Sequence, residues 1–225
     1  METLLHQQLK LHYAATSTDC EQQVGRFRVD VLQANEIIEI QCSSLAALRD
    51  KVRELTPLHQ LRIVKPLTRH TFVIRKRWSR TISQGLASNA GDWCDLFEEL
   101  VHFVTVFPRP NLTLEAVLID IEETRRPPRN RSQRGYRVEE RQLTAIVGSC
   151  SLVSAEDLYR LLPPDLPEQF QTDQLARLLN RPRWFAQKVA YCLRETAAAV
   201  VIGKQGNSLV YQRAGHSPEP RAYAG

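Results

Sequence analysis

The first quarter of the chain moves between the 3.6-residue period of α-helices and the two-residue period of β-strands. Leucines at helical spacing predict a helix over Thr3–Tyr13. Alternating apolar and polar residues predict strands over Arg26–Gln33 and Glu36–Cys42, joined by a two-residue turn. Apolar residues then return at helical spacing over Leu45–Leu55, and Pro57 ends this helix.

Two further strands are predicted at Gln60–Lys65 and Thr71–Lys76. The resulting order of helix, strand, strand, helix, strand, strand is typical of an α/β domain with a mixed sheet flanked by helices. A loop at Ser83–Gly91, a helix at Asp92–Val104 and a strand at Asn111–Glu122 follow. After them we predict a basic loop at Arg125–Gly135 and a returning strand at Tyr136–Arg141. We place this first domain at residues 1–142.

The pattern after Val153 is one of short helices. Caps and leucine spacing predict helices in SAEDLYRLL, TDQLARLLN and PRWFAQKVAYCLRETAA, followed by two strands around the turn Lys204–Asn207. Three helices followed by a β-hairpin are typical of a winged helix-turn-helix, which we place at residues 143–213. We expect residues 214–225 to be a disordered tail.

The turn at Ala34-Asn35 determines which side chains of the first hairpin share a face. The predicted cross-strand pairs are Gln33–Glu36, Leu32–Ile37, Val31–Ile38 and Asp30–Glu39. One face then carries a polar patch of Arg28, Asp30, Glu39 and Gln41, and the other carries Val29, Val31, Ile38 and Ile40. Two opposed carboxylates repel each other unless a proton, an arginine or a divalent cation compensates them. The alternative is an edge hairpin whose polar face lies in water.

The order of these elements, with Asp30 on one strand and Glu39-Ile40-Gln41 on the next, resembles the PD-(D/E)xK superfamily of nucleases, also called restriction-endonuclease-like. The resemblance implies a phosphodiesterase dependent on Mg²⁺ or Mn²⁺. In that scheme Asp30 and Glu39 are catalytic metal ligands, and the carbonyl of Ile40 is a further ligand. Catalytic Gln41 stands where the superfamily usually has Lys, and Val29 stands where it usually has Pro.

Several ionisable residues near the hairpin are secondary candidates for the site. Lys51, on the following helix, is placed to supply the charge that glutamine lacks, or it is an exposed helical lysine. The first helix and the segment before the first strand offer Glu2, His6, Lys10 and Glu21 as a further acid or base. The chain also resembles a group of uncharacterised bacterial proteins through LHQQLK, GRFRVDV, IEIQ, VKP and AQKVAYCLRE, up to about residue 213.

Positive charge is segregated along the chain. The net charge is +5, but Arg62–Arg80 holds seven Lys or Arg and no acid, and Arg125–Arg137 holds six Arg and no acid. Blocks of this kind favour a nucleic-acid partner, and the alternative is two solvated loops.

In a winged helix, the helix after the turn enters the major groove of DNA and the wing contacts the phosphate backbone. The predicted DNA-binding residues are therefore Arg181, Arg183, Gln187, Lys188, Lys204 and Asn207. A protein partner is the alternative for this module.

Five scattered cysteines, no long apolar run and a polar N-terminus predict a cytoplasmic protein that does not enter a membrane. The six histidines show no metal-ligand spacing. We expect a nuclease that cleaves DNA. The alternatives are a DNA-binding regulator with an inactive nuclease-like domain, and an RNA-directed version of either. Many nucleases of that superfamily are dimers, so the resemblance leaves a homodimer open.

Overall fold

A computed structural model describes residues 2–88, 90–129 and 134–215 of the 225-residue chain. The helices are α1 Leu4–Tyr13, α2 Arg49–Leu55, α3 Leu96–Leu100, α4 Thr172–Leu178 and α5 Arg183–Glu195. The strands are β1 Cys20–Val24, β2 Phe27–Gln33, β3 Glu36–Ile40, β4 Gln60–Arg77, β5 Arg80–Leu86, β6 Leu112–Arg126, β7 Arg137–Leu152, β8 Gln169–Phe170, β9 Ala199–Gln205 and β10 Ser208–Arg213.

Seven strands form one mixed sheet in the order β1-β2-β3-β4-β6-β7, with β5 paired to the far half of β4. The pairs β3–β4 and β4–β6 are parallel, and the other pairs are antiparallel. The predicted α/β class with a mixed sheet flanked by helices is therefore confirmed. No helix in the described ranges is both long and apolar enough to cross a membrane.

The hairpin of β2 and β3 has the predicted register for its three pairs nearest the turn, Gln33–Glu36, Leu32–Ile37 and Val31–Ile38. The turn residue with the left-handed conformation is Ala34, at φ +46, where the sequence favoured Asn35. Beyond Val31 the regular pairing with β3 stops, and β2 continues only along β1.

Two apolar clusters lie on opposite sides of the sheet. The larger cluster joins the sheet to α2, α3 and the C-terminal helices, and the smaller one lies beneath α1. Val31, Ile38 and Ile40 belong to the smaller cluster, as predicted, but Val29 packs in the larger cluster. The expectation that Val29 shares their face was wrong, because β2 departs from strict alternation where it leaves β3.

Four elements differ from the sequence prediction. The polar segment before β2 forms the edge strand β1, and the predicted loop at Ser83–Gly91 is largely strand β5. The strands predicted on either side of Pro66 are one continuous strand, β4. Between Val64 and Phe72 no described strand pairs with β4 on the side opposite β6, and a proline is tolerated at such an edge. The helix predicted over Asp92–Val104 is a 3₁₀ turn followed by the short α3.

The C-terminal part contains the 3₁₀ segment Glu156–Leu161, α4, α5 and a three-stranded sheet in the order β8-β10-β9. The expected domain boundary at residues 142–143 lies inside β7, which pairs with β6 along its whole length. Residues from both parts, including Phe97 and Phe185, share the larger apolar cluster. Arg125 and Arg126, expected in the basic loop, belong to β6, while residues 130–133 and the tail from 216 onward lie outside the described residues.

We predict that Phe97→Ala lowers the free energy of unfolding by about 3–5 kcal/mol, because the ring is fully buried where the two parts of the chain meet. Chemical denaturation measures this change. Leu58→Ala is the control, since Leu58 is 83% exposed and its loss should cost less than about 0.5 kcal/mol. Equal losses in the two variants would contradict this description of the core.

Candidate functional site

Where β2 and β3 separate, hydrogen bonds from backbone N–H groups to the side chains of Asp30 and Glu39 replace the regular pairing of the strands. The Ile40 N–H donates to Asp30 Oδ2 at 2.8 Å, and the Asp30 N–H donates to Glu39 Oε1 at 3.3 Å. The two acids are therefore neighbours, as the sequence predicted. They are joined through the backbone, and they do not stand opposed in a regular ladder.

Glu39 is buried beneath α2, with 5% of its surface exposed. Lys51 of α2 donates from Nζ to Glu39 Oε1 at 2.5 Å and to the carbonyl of Arg28 at 2.7 Å. Burial raises the pKa of Glu39 above its usual value, although Lys51 opposes the shift. The Lys51 side chain is only 12% exposed, so the alternative of a solvated helical lysine was wrong.

Asp30 is paired with His6 of α1, whose Nε2 lies 3.2 Å from Asp30 Oδ2. The cap at Thr3 starts this helix, and Leu5 and Leu9 bury its inner side against the sheet. The second ring nitrogen, Nδ1, lies 2.7 Å from Glu2 Oε1. The hydrogen bond to Asp30 raises the pKa of His6 to about 9, so the imidazole is charged at neutral pH.

Further charges surround this pair of acids. Lys10 Nζ contacts Glu2 and Glu21, and Glu21 Oε2 also lies 2.5 Å from Arg28 Nε. Burial opposes the charge of Lys10, but its two carboxylate partners outweigh burial and raise its pKa. Arg28 is therefore held by Glu21 on β1.

Gln41 lies beside the site but its amide is used locally. The side-chain nitrogen donates to the carbonyl of Ser44 at 3.0 Å, and the side-chain oxygen accepts from Ser43 Oγ at 3.0 Å. The predicted patch of Arg28, Asp30, Glu39 and Gln41 is therefore divided. Arg28, Asp30 and Gln41 line an open pocket of about 730 Å³, whereas Glu39 lies behind it.

An ion pair between buried Lys65 and partly exposed Glu99, which the sequence did not predict, supports the loop after Gln41. Lys65 Nζ lies 3.4 Å from Glu99 Oε1 and also donates to the carbonyl of Ser43, while Glu99 Oε2 accepts the Leu45 N–H at 3.0 Å. Burial lowers the pKa of Lys65, although Glu99 opposes the shift. The sequence does contain a signal for a buried charge at Lys65. This lysine directly follows the apolar residues Ile63 and Val64, just as Glu39 lies between isoleucines in IIEI.

The donors fit a hard divalent cation only in part. Asp30 and Glu39 offer the carboxylate oxygens that Mg²⁺ prefers. Each carboxylate already contacts a protein cation, His6 or Lys51. Across the described ranges, no three Asp, Glu, His or Cys side chains are grouped so as to hold a metal. A cation at Asp30 and Glu39 would have to displace or share these contacts.

Arg181, predicted to bind DNA, is occupied within the protein. Its Nη2 lies 3.0 Å from Asp92 Oδ2 and 3.0 Å from Asp95 Oδ1, and its guanidinium lies over the ring of Phe185. The hydrogen bond to Asp92 raises the pKa of Arg181 further. This residue joins the start of α5 to the segment that leads into α3.

The two basic candidates on α5 also have acidic partners. Arg183 Nε lies 3.1 Å from Asp173 Oδ1, and Lys188 Nζ lies 3.5 Å from Glu98 Oε1. Both pairs are largely exposed. The remaining candidates, Gln187, Lys204 and Asn207, are exposed. The recognition-helix assignment stays a prediction, but its positive charge is largely balanced within the chain.

Fold and site together define an α/β protein with a mixed sheet and two adjacent acids where β2 and β3 separate. Residues 3–153 match the family described as a domain of unknown function, DUF8091, and the chain belongs to this family. The chain is 25% identical over 217 residues to an uncharacterized protein of Treponema pallidum (strain Nichols), covering 94% of this chain and 85% of that protein. No solved structure matches the chain significantly.

We predict that Lys51→Met lowers the free energy of unfolding by about 3–5 kcal/mol at pH 7, because it leaves the buried carboxylate of Glu39 without a counter-charge. The loss should shrink as the pH falls toward 4.5, since protonated Glu39 needs no partner. Denaturant titrations at several pH values measure both effects. Arg53→Met, on the exposed side of α2, should change stability by less than about 0.5 kcal/mol. A pH-independent loss would contradict the pairing.

An NMR titration of His6 should give a pKa of about 9. Its pair with Asp30 then contributes stability fully below pH 6.5, and that contribution is lost as the pH rises through about 9. Asp30→Asn should return the pKa of His6 toward 6.5, and Glu2→Gln should lower it less. A normal pKa in the unsubstituted protein would show that the two side chains are not in contact.

Proposed function

We propose that the chain is a metal-dependent nuclease that cleaves DNA at the pocket lined by Asp30. The observation that carries the proposal is the buried carboxylate of Glu39, held by Lys51 directly beside Asp30. Buried ionised groups are costly to a fold, and they are concentrated at functional sites. The resemblance to PD-(D/E)xK nucleases assigns these two acids the same role.

In this proposal Asp30 and Glu39 would hold Mg²⁺ or Mn²⁺, and the ion would supply Lewis-acid activation of the phosphate and of a water molecule. Lys51 supplies positive charge beside the acids, which Gln41 cannot do. The amide of Gln41 instead positions the turn at Ser43–Ser44, of which Ser43 lines the pocket.

The cations that line the pocket support an anionic substrate. Lys10 and Arg28 lie at its edge, and its volume of about 730 Å³ is large enough for a nucleotide-sized group. Glu2 and Glu21 partly balance these charges. Charged His6 orients the carboxylate of Asp30 through the contact at 3.2 Å.

The second candidate function is a DNA-binding regulator whose nuclease-like site is inactive. The favouring observation is that both acids already have protein cations as partners and that no third ligand converges on them in the described residues. In this case His6 and Lys51 replace the metal as the permanent counter-charges of the site.

Incubation of plasmid and single-stranded DNA with the protein and Mg²⁺ or Mn²⁺ tests the nuclease. Asp30→Asn and Glu39→Gln should each reduce cleavage at least about 100-fold, because each removes an acid from the reacting centre. Asp50→Asn is the matched control, since its side chain is 84% exposed on α2 and should leave cleavage unchanged.

Calorimetric titration with Mn²⁺ is the companion measurement, with binding expected in the unsubstituted protein and lost in Asp30→Asn. If no cleavage above that of the Asp30→Asn protein is seen with either metal, and no Mn²⁺ is bound, the regulator is the better account.

A further inference from the structure

The far end of the large sheet carries more positive charge than the rest of the molecule. We call residues 72–86, 122–129 and 134–141 the distal sheet end; it comprises the outer parts of β4 and β6, all of β5 and the start of β7. These residues include ten Lys or Arg and four Glu, an excess of six positive charges, whereas the whole chain has a net charge of +5. The positive excess of the chain is therefore concentrated here.

Ion pairs neutralise only part of this charge. Glu123 pairs with Arg125 and Arg141, and Glu139 pairs with Arg126 and more distantly with Arg137. The segment from Arg75 to Leu86 contains no acid. In the portion of the chain that the structure describes, no ion pair involves Arg75, Arg77 or Arg80.

The strand register brings like charges together in this region. Arg75 of β4 lies directly beside Arg125 of β6, and Arg77 lies opposite Arg80 across the β4–β5 turn. Directly opposed like charges destabilise a sheet unless an anion compensates them. Trp78, which is 82% exposed, lies within the same turn.

A groove of about 360 Å³ gives this charge a defined shape. Arg75 and Arg125 line it from the strands, and the segment from Ser83 to Ser88 lines its other side. The guanidinium of Arg125 also lies over the ring of Tyr136, with 4.0 Å between its Cζ and the ring centroid. Two guanidinium groups at one groove are the chemistry that recognises phosphate oxygens.

The groove lies on the same sheet face as the pocket of Asp30. Alternate residues of β6 from Ile119 to Arg125 face the α1 side, where Ile119 and Ile121 pack beneath the helix. A second cavity of about 820 Å³ shares Ser43 with the pocket of Asp30 and reaches Glu123. A continuous surface therefore joins the two regions.

Strand geometry gives the separation of the two regions. β3 ends with Ile40 paired to Val64 of β4, and Arg75 follows eleven residues later on β4. Because β4 has an extra residue between Thr68 and His70, Arg75 is ten ladder steps from Val64, which is roughly 33 Å at about 3.3 Å per residue. Such a length corresponds to about ten base pairs of duplex DNA.

We propose that the distal sheet end binds the sugar-phosphate backbone of DNA and anchors it about ten base pairs from Asp30. The proposal takes DNA as the partner from the proposed function, but it does not require that the chain cut DNA. It assigns the main electrostatic contact to β4, β5 and β6 and not to α5 and the residue just before it, where Arg181, Arg183 and Lys188 are paired with Asp92, Asp173 and Glu98.

Fluorescence anisotropy with a 30-base-pair duplex across a salt series tests the assignment. The variant R75Q/R77Q/R80Q should bind at least tenfold more weakly, and the slope of log K against log salt should fall by about two to three, because each phosphate contact contributes about 0.9. The matched control R26Q/R49Q/R53Q removes the same amount of charge from the turn between β1 and β2 and from α2. It should bind DNA nearly as tightly as the unsubstituted protein does.

Equal losses in both triple variants would overturn the proposal, because net charge alone would then explain binding. A larger loss in R183Q/K188Q would also overturn it and assign the contact to α5. Tighter binding of an RNA duplex of the same length would overturn the assignment to DNA. The assay is repeated in the Asp30→Asn protein, in which the loss should be the same, so failure of the nuclease proposal and failure of this proposal are distinguishable.

Discussion

The carboxylate of Glu39, buried between the sheet and α2, is the constraint on which the rest of the site depends. A charge in this position needs a partner, and Lys51 reaches it from α2 while also bonding the carbonyl of Arg28. The same carboxylate accepts the Asp30 N–H, so Glu39 also links the two strands where their regular pairing ends. The Glu39 side chain thus connects β2, β3 and α2.

The arrangement on the other side of the sheet follows from that separation of strands. Asp30 Oδ2 accepts a hydrogen bond from the Ile40 N–H and also contacts His6 of α1. Glu2, Lys10 and Glu21 extend the alternation of charges toward β1. The two acids are therefore compensated from opposite faces, Glu39 from α2 and Asp30 from α1.

The sequence predicted those features that depend on local periodicity. The α/β class, the register near the hairpin turn and the nearness of Asp30 to Glu39 follow from alternation and from the length of the turn. The sheet face on which Val29 packs could not be predicted from alternation, because side-chain hydrogen bonds replace the regular strand pairing at Asp30 and the alternation of faces stops there. Lys51 was a candidate because the helix follows the hairpin directly. The pairing of Arg181 with Asp92 and Asp95 was hidden, since it joins segments about 90 residues apart that only tertiary packing brings together.

We propose that Asp30 and Glu39 form a cation site, and that a metal ion displaces His6 or Lys51 when it binds there. A crystal of the protein soaked in Mn²⁺ and measured at the manganese absorption edge tests it most directly. We expect an anomalous peak within bonding distance of oxygens from both carboxylates, with Lys51 or His6 displaced from its contact. An ordered site in which both ion pairs persist and no peak is present would contradict it.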